Sequence, residues 1–336
     1  MPIRMAINGF GRMGRLSMRL AWDHPDIELV HVNEAAGDAV AAAQLLEYDS
    51  IHGRWTRPVQ AEVDSLLIEG QPVSYSTNTR IEDTDWGAMD LDVVLECTGS
   101  FRTPPQLQGY LDQGVPRVAV SAPIKDGGLN VVMGINQHRY DPAEHRIVSA
   151  ASCTTNCIAP VIAVIAESFG IARATITTIH DLTNTQCVLD SFHRDSRRAR
   201  ASGMNLIPTS TGSATAITDI FPELTGKLTG IAVRVPLANA SLTDCVFVTE
   251  QATTSAAVNE AIARAAGGTL RGILGYETKP LVSSDYRGNT HSAVIDGPST
   301  TVSDGTLVKL LAWYDNEMGY VHRLIELAAM VGNDAR

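Results

Sequence analysis

Apolar residues in the first half of the chain come in short continuous runs rather than in alternation. IRMAIN (Ile3–Asn8), ELVHVN (Glu28–Asn33), DVVLE (Asp92–Glu96), RVAVSA (Arg117–Ala122), NVVMGIN (Asn130–Asn136) and RIVSA (Arg146–Ala150) each predict a buried strand. Helical or loop segments separate them. That pattern predicts an α/β fold with a parallel, doubly wound sheet. A helix follows the first strand, with Met13, Leu16 and Leu20 on one face and Pro25 closing it. A second helix is predicted over Cys153–Phe169, where Ile158, Val161, Ile162, Ile165 and Phe169 share a face. ATITTIH (Ala174–His180) then reads as a returning strand.

The chain has 336 residues, more than one typical core, so two domains are expected. The net charge of −11 argues against a general nucleic-acid or anionic-membrane binder, because both would repel it. Any bound anion needs a local positive site. No apolar run is long enough to cross a bilayer, and MPIRMAINGFG reaches glycine too early for a secretory signal. The five cysteines are odd in number and widely spaced, which fits a reducing cytoplasm rather than a disulfide framework.

GFGRMG completes G-x-G-x-x-G with Gly9, Gly11 and Gly14. Alone that motif marks no more than a tight turn. Here it lies between a strand and a helix, and the second strand ends at Glu34, 20 residues after Gly14. The first glycine makes the turn, the second admits a pyrophosphate, and the third lets helix pack on strand. Free N–H groups of the helix face the phosphates. An acid at the end of the second strand accepts from the ribose and repels a 2′-phosphate, favouring NAD over NADP. Small polar groups at two further strand ends, Cys97–Gly99 and Ser121–Pro123, are either ligand contacts or ordinary turns.

SAASCTTNCIAP (Ser149–Pro160) carries two cysteines four apart. Ser152 is a good N-cap, which places Cys153 in the first helical turn, where the dipole favours a thiolate. Cys157, one turn deeper, reads as structural. A metal pair lacks the further ligands that zinc requires, so no metal is expected. The returning strand can carry His180 back toward Cys153 as a base, although a satisfied structural histidine fits the same spacing. HDLTNTQ (180–186), PTSTGSAT (208–215) and VRVP (233–236) supply hydroxyls, glycine N–H groups and an arginine. A phosphate site needs these, and a polar loop contains them too. The arginine-rich HRDSRRARASG (193–203) suggests RNA, but the net charge favours a solvated or subunit-contacting loop.

NGFGRMGR, YDSIHGRW, SAASCTTNCIAP, the histidine and threonine of HDLT, RRARA, IPTSTGSAT, VRVP and WYDNEMGY together resemble the phosphorylating glyceraldehyde-3-phosphate dehydrogenase family over essentially the whole chain. The resemblance implies a Rossmann-type NAD-binding domain over 1–150, with a C-terminal helix (316–336) packing back on it. Val321, Leu324, Ile325, Ala328 and Val331 supply that helix with a packing face. It also implies an α+β catalytic domain with a mostly antiparallel sheet over 151–315. Cys153 would be the nucleophile and His180 the base. Thr183 and Arg234 would hold the C3 phosphate of D-glyceraldehyde 3-phosphate. Ser152, Thr154, Thr211 and Gly212 would hold the attacking inorganic phosphate. Arg12, Met13 and Glu34 would contact NAD, with Thr98, Ser121, Asn316 and Tyr320 also lining its site. The assembly implied is a homotetramer, with no membrane or specific nucleic-acid partner.

The sequence departs from the family pattern at several places. Glu34 replaces the common Asp, as in relatives acting on erythrose 4-phosphate. Ser191-Phe192 replaces a Leu-Pro typical of NAD-specific forms. Asp181-Leu182 follows the histidine where Ala-Tyr is usual; strand alternation predicts that Asp181 points away from His180, and a carboxylate so close can still shift the imidazole pKa. Met318 stands for a usual Trp. These departures resemble a paralogue associated with arsenic-resistance operons, in which arsenate replaces phosphate and gives 1-arseno-3-phosphoglycerate. The alternative of another class is a non-catalytic nucleotide- or RNA-binding protein on the same fold, for which an eroded nucleophile or base is expected. A cysteine hydrolase without cofactor is opposed by the glycine motif.

Overall fold

The computed structural model describes residues 1–125 and 127–336. The chain forms two compact units, Met1–Ser152 with Val321–Arg336, and Cys153–Tyr320.

The first unit is built on β1 (Ile3–Asn8), β2 (Ile27–Asn33), β3 (Val59–Ala61), β4 (Ser65–Ile68), β5 (Gln71–Ser76), β6 (Val93–Glu96), β7 (Arg117–Val120), β8 (Leu129–Asn130) and β9 (Ile147–Ser149). Their order is β3-β4-β5-β2-β1-β6-β7-β9-β8, parallel from β5 to β8, with β3 and β4 antiparallel at one edge. β1 is central and apolar on both faces, which is why Ile3, Met5, Ala6 and Ile7 are all fully buried. Its neighbours are β2 on one side and β6 on the other, so the strand order reverses there and a crevice opens beyond its carboxyl end. The helices are α1 (Arg12–Trp22), α2 (Ala39–Glu47) and α3 (Pro104–Asp112).

Two expectations are corrected here. The buried face of α1 is Gly14, Ser17, Met18 and Ala21 together with Leu16, not Met13 and Leu20, which stay half-buried. Gly14 is the reason. A Cβ there would sit 2.1 Å from the Gly9 carbonyl oxygen, so backbone meets backbone and small residues define the contact. The run Asn130–Asn136 is not a strand, since β8 stops at Asn130. The Asn136 side chain accepts from the Val132 N–H at 2.6 Å and donates to the Asn130 carbonyl at 3.0 Å, closing a turn in place of a ladder.

The second unit contains β10 (Arg173–His180), β11 (Ile207–Thr209), β12 (Leu228–Arg234), β13 (Ser241–Val248), β14 (Leu274–Glu277), β15 (Ala293–Asp296), β16 (Thr301–Ser303) and β17 (Leu307–Tyr314). The order is β11-β12-β10-β13-β17-β15-β14, with β16 beside β17. All pairings are antiparallel except β10 with β12 and β14 with β15. Strict alternation buries Ala174, Ile176, Thr178 and His180 of β10, and Val308, Leu310, Ala312 and Tyr314 of β17. Helix α4 (Cys153–Phe169) packs on β13, β15 and β17, beside α5 (Ser213–Ile220) and α6 (Ser255–Gly267). The last helix, α7 (Met318–Asn333), leaves this unit at Tyr320 and continues in the first. There a Cβ on Gly332 would lie 2.6 Å from the Ile3 side chain, so α7 lies tight on β1.

Candidate active site and nucleotide cleft

The first unit has a cleft of about 270 Å³ beyond β1, lined by Gly9, Gly11, Asn33, Glu34, Thr98 and Phe101 among others. Each glycine has its own reason. Gly9 is left-handed (φ +91°), and a Cβ would lie 2.4 Å from the Thr98 nitrogen. Gly11 is the N-cap of α1, and a Cβ there would meet nothing within 4 Å. It therefore faces open space, as a backbone cradle for a pyrophosphate must. Glu34 accepts from the Phe10 N–H at 2.6 Å and from the Ala36 N–H at 2.9 Å, which ties the end of β2 to the glycine turn. Arg12 pairs with Asp49, one of its N–H groups lying 3.2 Å from Oδ1. Burial would raise the Asp49 carboxyl, but Arg12 and the His52 and Ile51 N–H groups hold it well below the usual range. These features fit a dinucleotide.

The second unit holds the thiol. Cys153 is the first residue of α4, and its Sγ lies 3.7 Å from His180 Nε2. His180 ends β10, and its parallel partner on β12 is Arg234. Arg234 Nη1 reaches His180 Nδ1 at 2.6 Å and donates to the Asp181 carbonyl at 3.1 Å, while its buried Nε has no partner. Burial draws the Arg234 guanidinium down from its ordinary value. For His180, burial opposes the charged form, yet the adjacent Asp181 carboxylate and Cys153 outweigh it, and the imidazole is raised to about 9. The fully buried Tyr314 stands edge-on to the ring, and its hydroxyl lies 3.0 Å from Thr154 Oγ1. Backbone strain gathers just before the thiol, since Ala151 is a non-glycine residue at φ +55°.

Residues 152–316 match the C-terminal domain of glyceraldehyde 3-phosphate dehydrogenase, and residues 3–104 match its NAD binding domain. A "Glyceraldehyde-3-phosphate dehydrogenase 3" of Nostoc sp. is 57% identical over 333 residues, covering 98% of each chain. The glyceraldehyde-3-phosphate dehydrogenase of Geobacillus stearothermophilus is 46% identical, covering 99% of each. "Glyceraldehyde-3-phosphate dehydrogenase 1" of Bacillus subtilis is 45% identical, covering 98% of each. The chain belongs to the glyceraldehyde-3-phosphate dehydrogenase family. Its cofactor is NAD.

Within this dehydrogenase the predicted residues separate by unit. Gly9, Gly11, Glu34 and Thr98 meet at the cleft, with Arg12, Met13 and Gly14 opening α1 beside it. Ser121 follows β7, its N–H bonded to the Glu96 carbonyl at 2.9 Å. Asn316 and Tyr320 are buried residues of the second unit. Cys153, Thr154, His180 and Arg234 come together there, and Ser152 immediately precedes the thiol. Thr183 follows β10, its hydroxyl 2.8 Å from Gln186 Oε1. Thr211 and Gly212 open α5, where Thr211 Oγ1 lies 3.0 Å from Ser213 Oγ. Cys157 is fully buried, and burial pushes its thiol up to about 12. All five cysteines are free.

One expectation fails. Asp181 does not point away from His180: its Oδ1 lies 2.9 Å from His180 Nδ1. The strand ends at His180, so alternation no longer governs the next side chain. Two further residues escaped the sequence reading. Glu96, buried at the end of β6, accepts from Asn8 Nδ2 (3.1 Å), Tyr110 OH (2.7 Å) and the Thr98 N–H (2.8 Å), which fixes Thr98 at the cleft. Its only sequence signal was an acid closing an apolar run. Arg198 lies close enough for its charge to lower the Arg234 guanidinium, and its Nε donates to Thr209 at 2.8 Å. Its signal was hidden among four arginines read as a loop.

Proposed function

We propose that this protein oxidises D-glyceraldehyde 3-phosphate to 1,3-bisphosphoglycerate through a thioester on Cys153. The observation that carries the reading is the 3.7 Å approach of Cys153 Sγ to His180 Nε2 at the start of α4, with the Arg234 guanidinium beside the ring. The thiolate adds to the aldehyde carbon, and the imidazolium gives its proton to the new oxyanion. His180 then takes the hydroxyl proton back as the thiohemiacetal is oxidised to the thioester. NAD, when bound, supplies the hydride acceptor. Gly9, Gly11, Arg12, Met13, Glu34, Thr98, Ser121, Asn316 and Tyr320 are proposed to hold it, and the Glu34 charge disfavours a 2′-phosphate. Arg234 and Thr183 take the sugar phosphate. Ser152, Thr154, Thr211 and Gly212 take the oxyanion that cleaves the thioester. The partnerless Arg234 Nε supports an anion there.

That oxyanion is phosphate or arsenate. Arsenate would give 1-arseno-3-phosphoglycerate and a role in arsenate resistance. The test is NADH formation from the sugar and NAD with no added anion, then with each anion titrated separately. A burst of about one NADH per thiol, followed by turnover only when anion is added, is expected for a thioester route. A much lower half-saturating concentration of arsenate than of phosphate assigns the resistance role. A burst only with erythrose 4-phosphate moves the substrate, and no burst with either sugar sinks the reading.

The segment after β10 exposes Val188, Leu189, Phe192, Met204 and Leu206 to solvent. Apolar side chains crowded on one segment support contact between copies of this chain, and a homotetramer is proposed. Light scattering that returns the mass of a single 36.0 kDa chain contradicts it. Free thiols throughout support a reducing cytoplasm.

A further inference from the structure

Asp181 is wholly buried, and neither carboxylate oxygen meets a donor in hydrogen-bonding geometry. A buried carboxylate without donors is costly, and an apolar side chain would fill the space without that cost. The group within reach is the ring the mechanism uses: Oδ1 stands 2.9 Å from His180 Nδ1, on the side of the imidazole opposite Cys153. We propose that Asp181 is a positioning residue, which keeps a proton on His180 Nδ1 so that Nε2 exchanges its proton with the substrate at Cys153. The proposal rests on the functional reading above.

Before reaction both ring nitrogens carry protons, Nε2–H facing the thiolate and Nδ1–H facing Asp181, and Arg234 Nη1 then donates to the Asp181 carbonyl at 3.1 Å rather than to the ring. The thiolate attacks, and Nε2 gives its proton to the oxyanion. The neutral ring keeps the Nδ1 proton because the carboxylate favours it there. Nε2 is left as a lone pair aimed at the thiohemiacetal hydroxyl. Without the carboxylate, the Arg234 N–H at 2.6 Å from Nδ1 favours the opposite tautomer, because it donates only to a bare nitrogen. That tautomer has its proton on Nε2 and cannot act as base toward the substrate. The Asp181 carbonyl, also 2.9 Å from Nδ1, holds the ring by a second bond but carries no charge to oppose Arg234.

The groups facing the ring are Cys153 on α4, Arg234 on β12, Tyr314 on β17 and Asp181 itself. Glu317 acts on Asp181 from the chain beyond β17, and Ser241 accepts the Asp181 N–H at 3.1 Å. Burial raises the Asp181 carboxyl, and His180 pulls it back. The net rise of the imidazole has the sign that an ionised Asp181 gives.

The test uses Asp181→Asn, which keeps the shape and removes the charge, alongside Asp181→Ala. Alkylation of Cys153 by iodoacetamide is followed on its own peptide against pH. The thiolate–imidazolium pair persists until the imidazolium loses its proton, which gives an upper inflection. Asp181→Asn is expected to move that inflection down by about one pH unit or more, because an opposite charge within about 4–6 Å shifts a pKa by roughly 1–3 units. The NADH burst rate is expected to fall about 10–100-fold, part of the roughly 10²–10⁴-fold that a positioned base contributes, with the sugar KM near wild type. A role in packing alone would lower thermal stability and leave the inflection in place. An unchanged inflection in both variants overturns the proposal. So does a wild-type inflection at or below the ordinary histidine value of about 6.5, which needs no variant to fold. Should the wild type give no burst with either sugar, the functional reading falls, and the alkylation profile still decides the role of Asp181.

Discussion

Replacing Cys153 by serine is expected to abolish the NADH burst, with a loss on the order of 10⁴-fold or more. The reason lies in the proton inventory of the site. A hydroxyl at the head of α4 stays protonated at neutral pH, so there is no anion to add to an aldehyde. The oxygen ester that would replace the thioester is also a poorer acyl donor. The variant carries a second expectation. His180 owes part of its raised value, about 9, to Cys153, so the imidazole pKa, read by NMR of the ring, is expected to fall in Cys153→Ser. NAD affinity is expected to stay near wild type, since Cys153 is not among the residues that line the cleft. Stopped-flow absorbance and NAD titration check the two halves. A serine variant with a full burst would remove Cys153 from the mechanism.

Gly14→Ala is expected to destabilise the first unit by on the order of 3 kcal/mol, because the new methyl meets backbone rather than a flexible side chain. The Cβ would lie 2.1 Å from the Gly9 carbonyl oxygen and 3.1 Å from its carbon. Relief requires α1 to lift from the turn, and that turn is itself pinned by Gly9 against Thr98. Gly11→Ala is the matched control. Its methyl would meet nothing within 4 Å, so stability is expected to change by about 1 kcal/mol or less, the scale of a cap substitution. NAD affinity is expected to drop, because the methyl projects from the N-cap of α1 into the cleft that the glycine lines. Urea denaturation and NAD titration of both variants separate packing from binding. A stable Gly14→Ala protein, or a Gly11→Ala protein with wild-type NAD affinity, would contradict the roles assigned to the two glycines.

The parts of the fold that were legible are those fixed over a few residues. The sequence reading places β1 at Ile3–Asn8 and α4 at Cys153–Phe169, and the structure has the same bounds. An apolar run bounded by glycine, and an apolar-rich stretch after a serine suited to capping, need no distant partner to be recognised, although α4 is buried all round over Thr154–Ile162 rather than on the one face the spacing predicts. The face of α1 was not legible. Leu20 and Met13 are larger and more apolar than Gly14 and Ser17, but closeness of approach decided the contact, and hydrophobicity did not. Asn130–Asn136 misled for a related reason. Its apolar residues suited a strand, while the Asn136 side chain captured the backbone groups a strand would have used.

The sequence by itself determined the chemical parts. A glycine turn between strand and helix, a thiol at a helix start and a histidine at a strand end are local placements, dictated by turn sterics, capping and strand length. Tertiary structure decided which groups those parts meet. Arg234 reaches His180 across 54 residues because β12 pairs with β10 in register, and Tyr314 reaches Thr154 across 160. Asp181 lies next to His180 in the chain, yet its orientation was also a tertiary matter. Once β10 ends, only the surrounding packing fixes where that carboxylate goes, and it comes to rest against the imidazole.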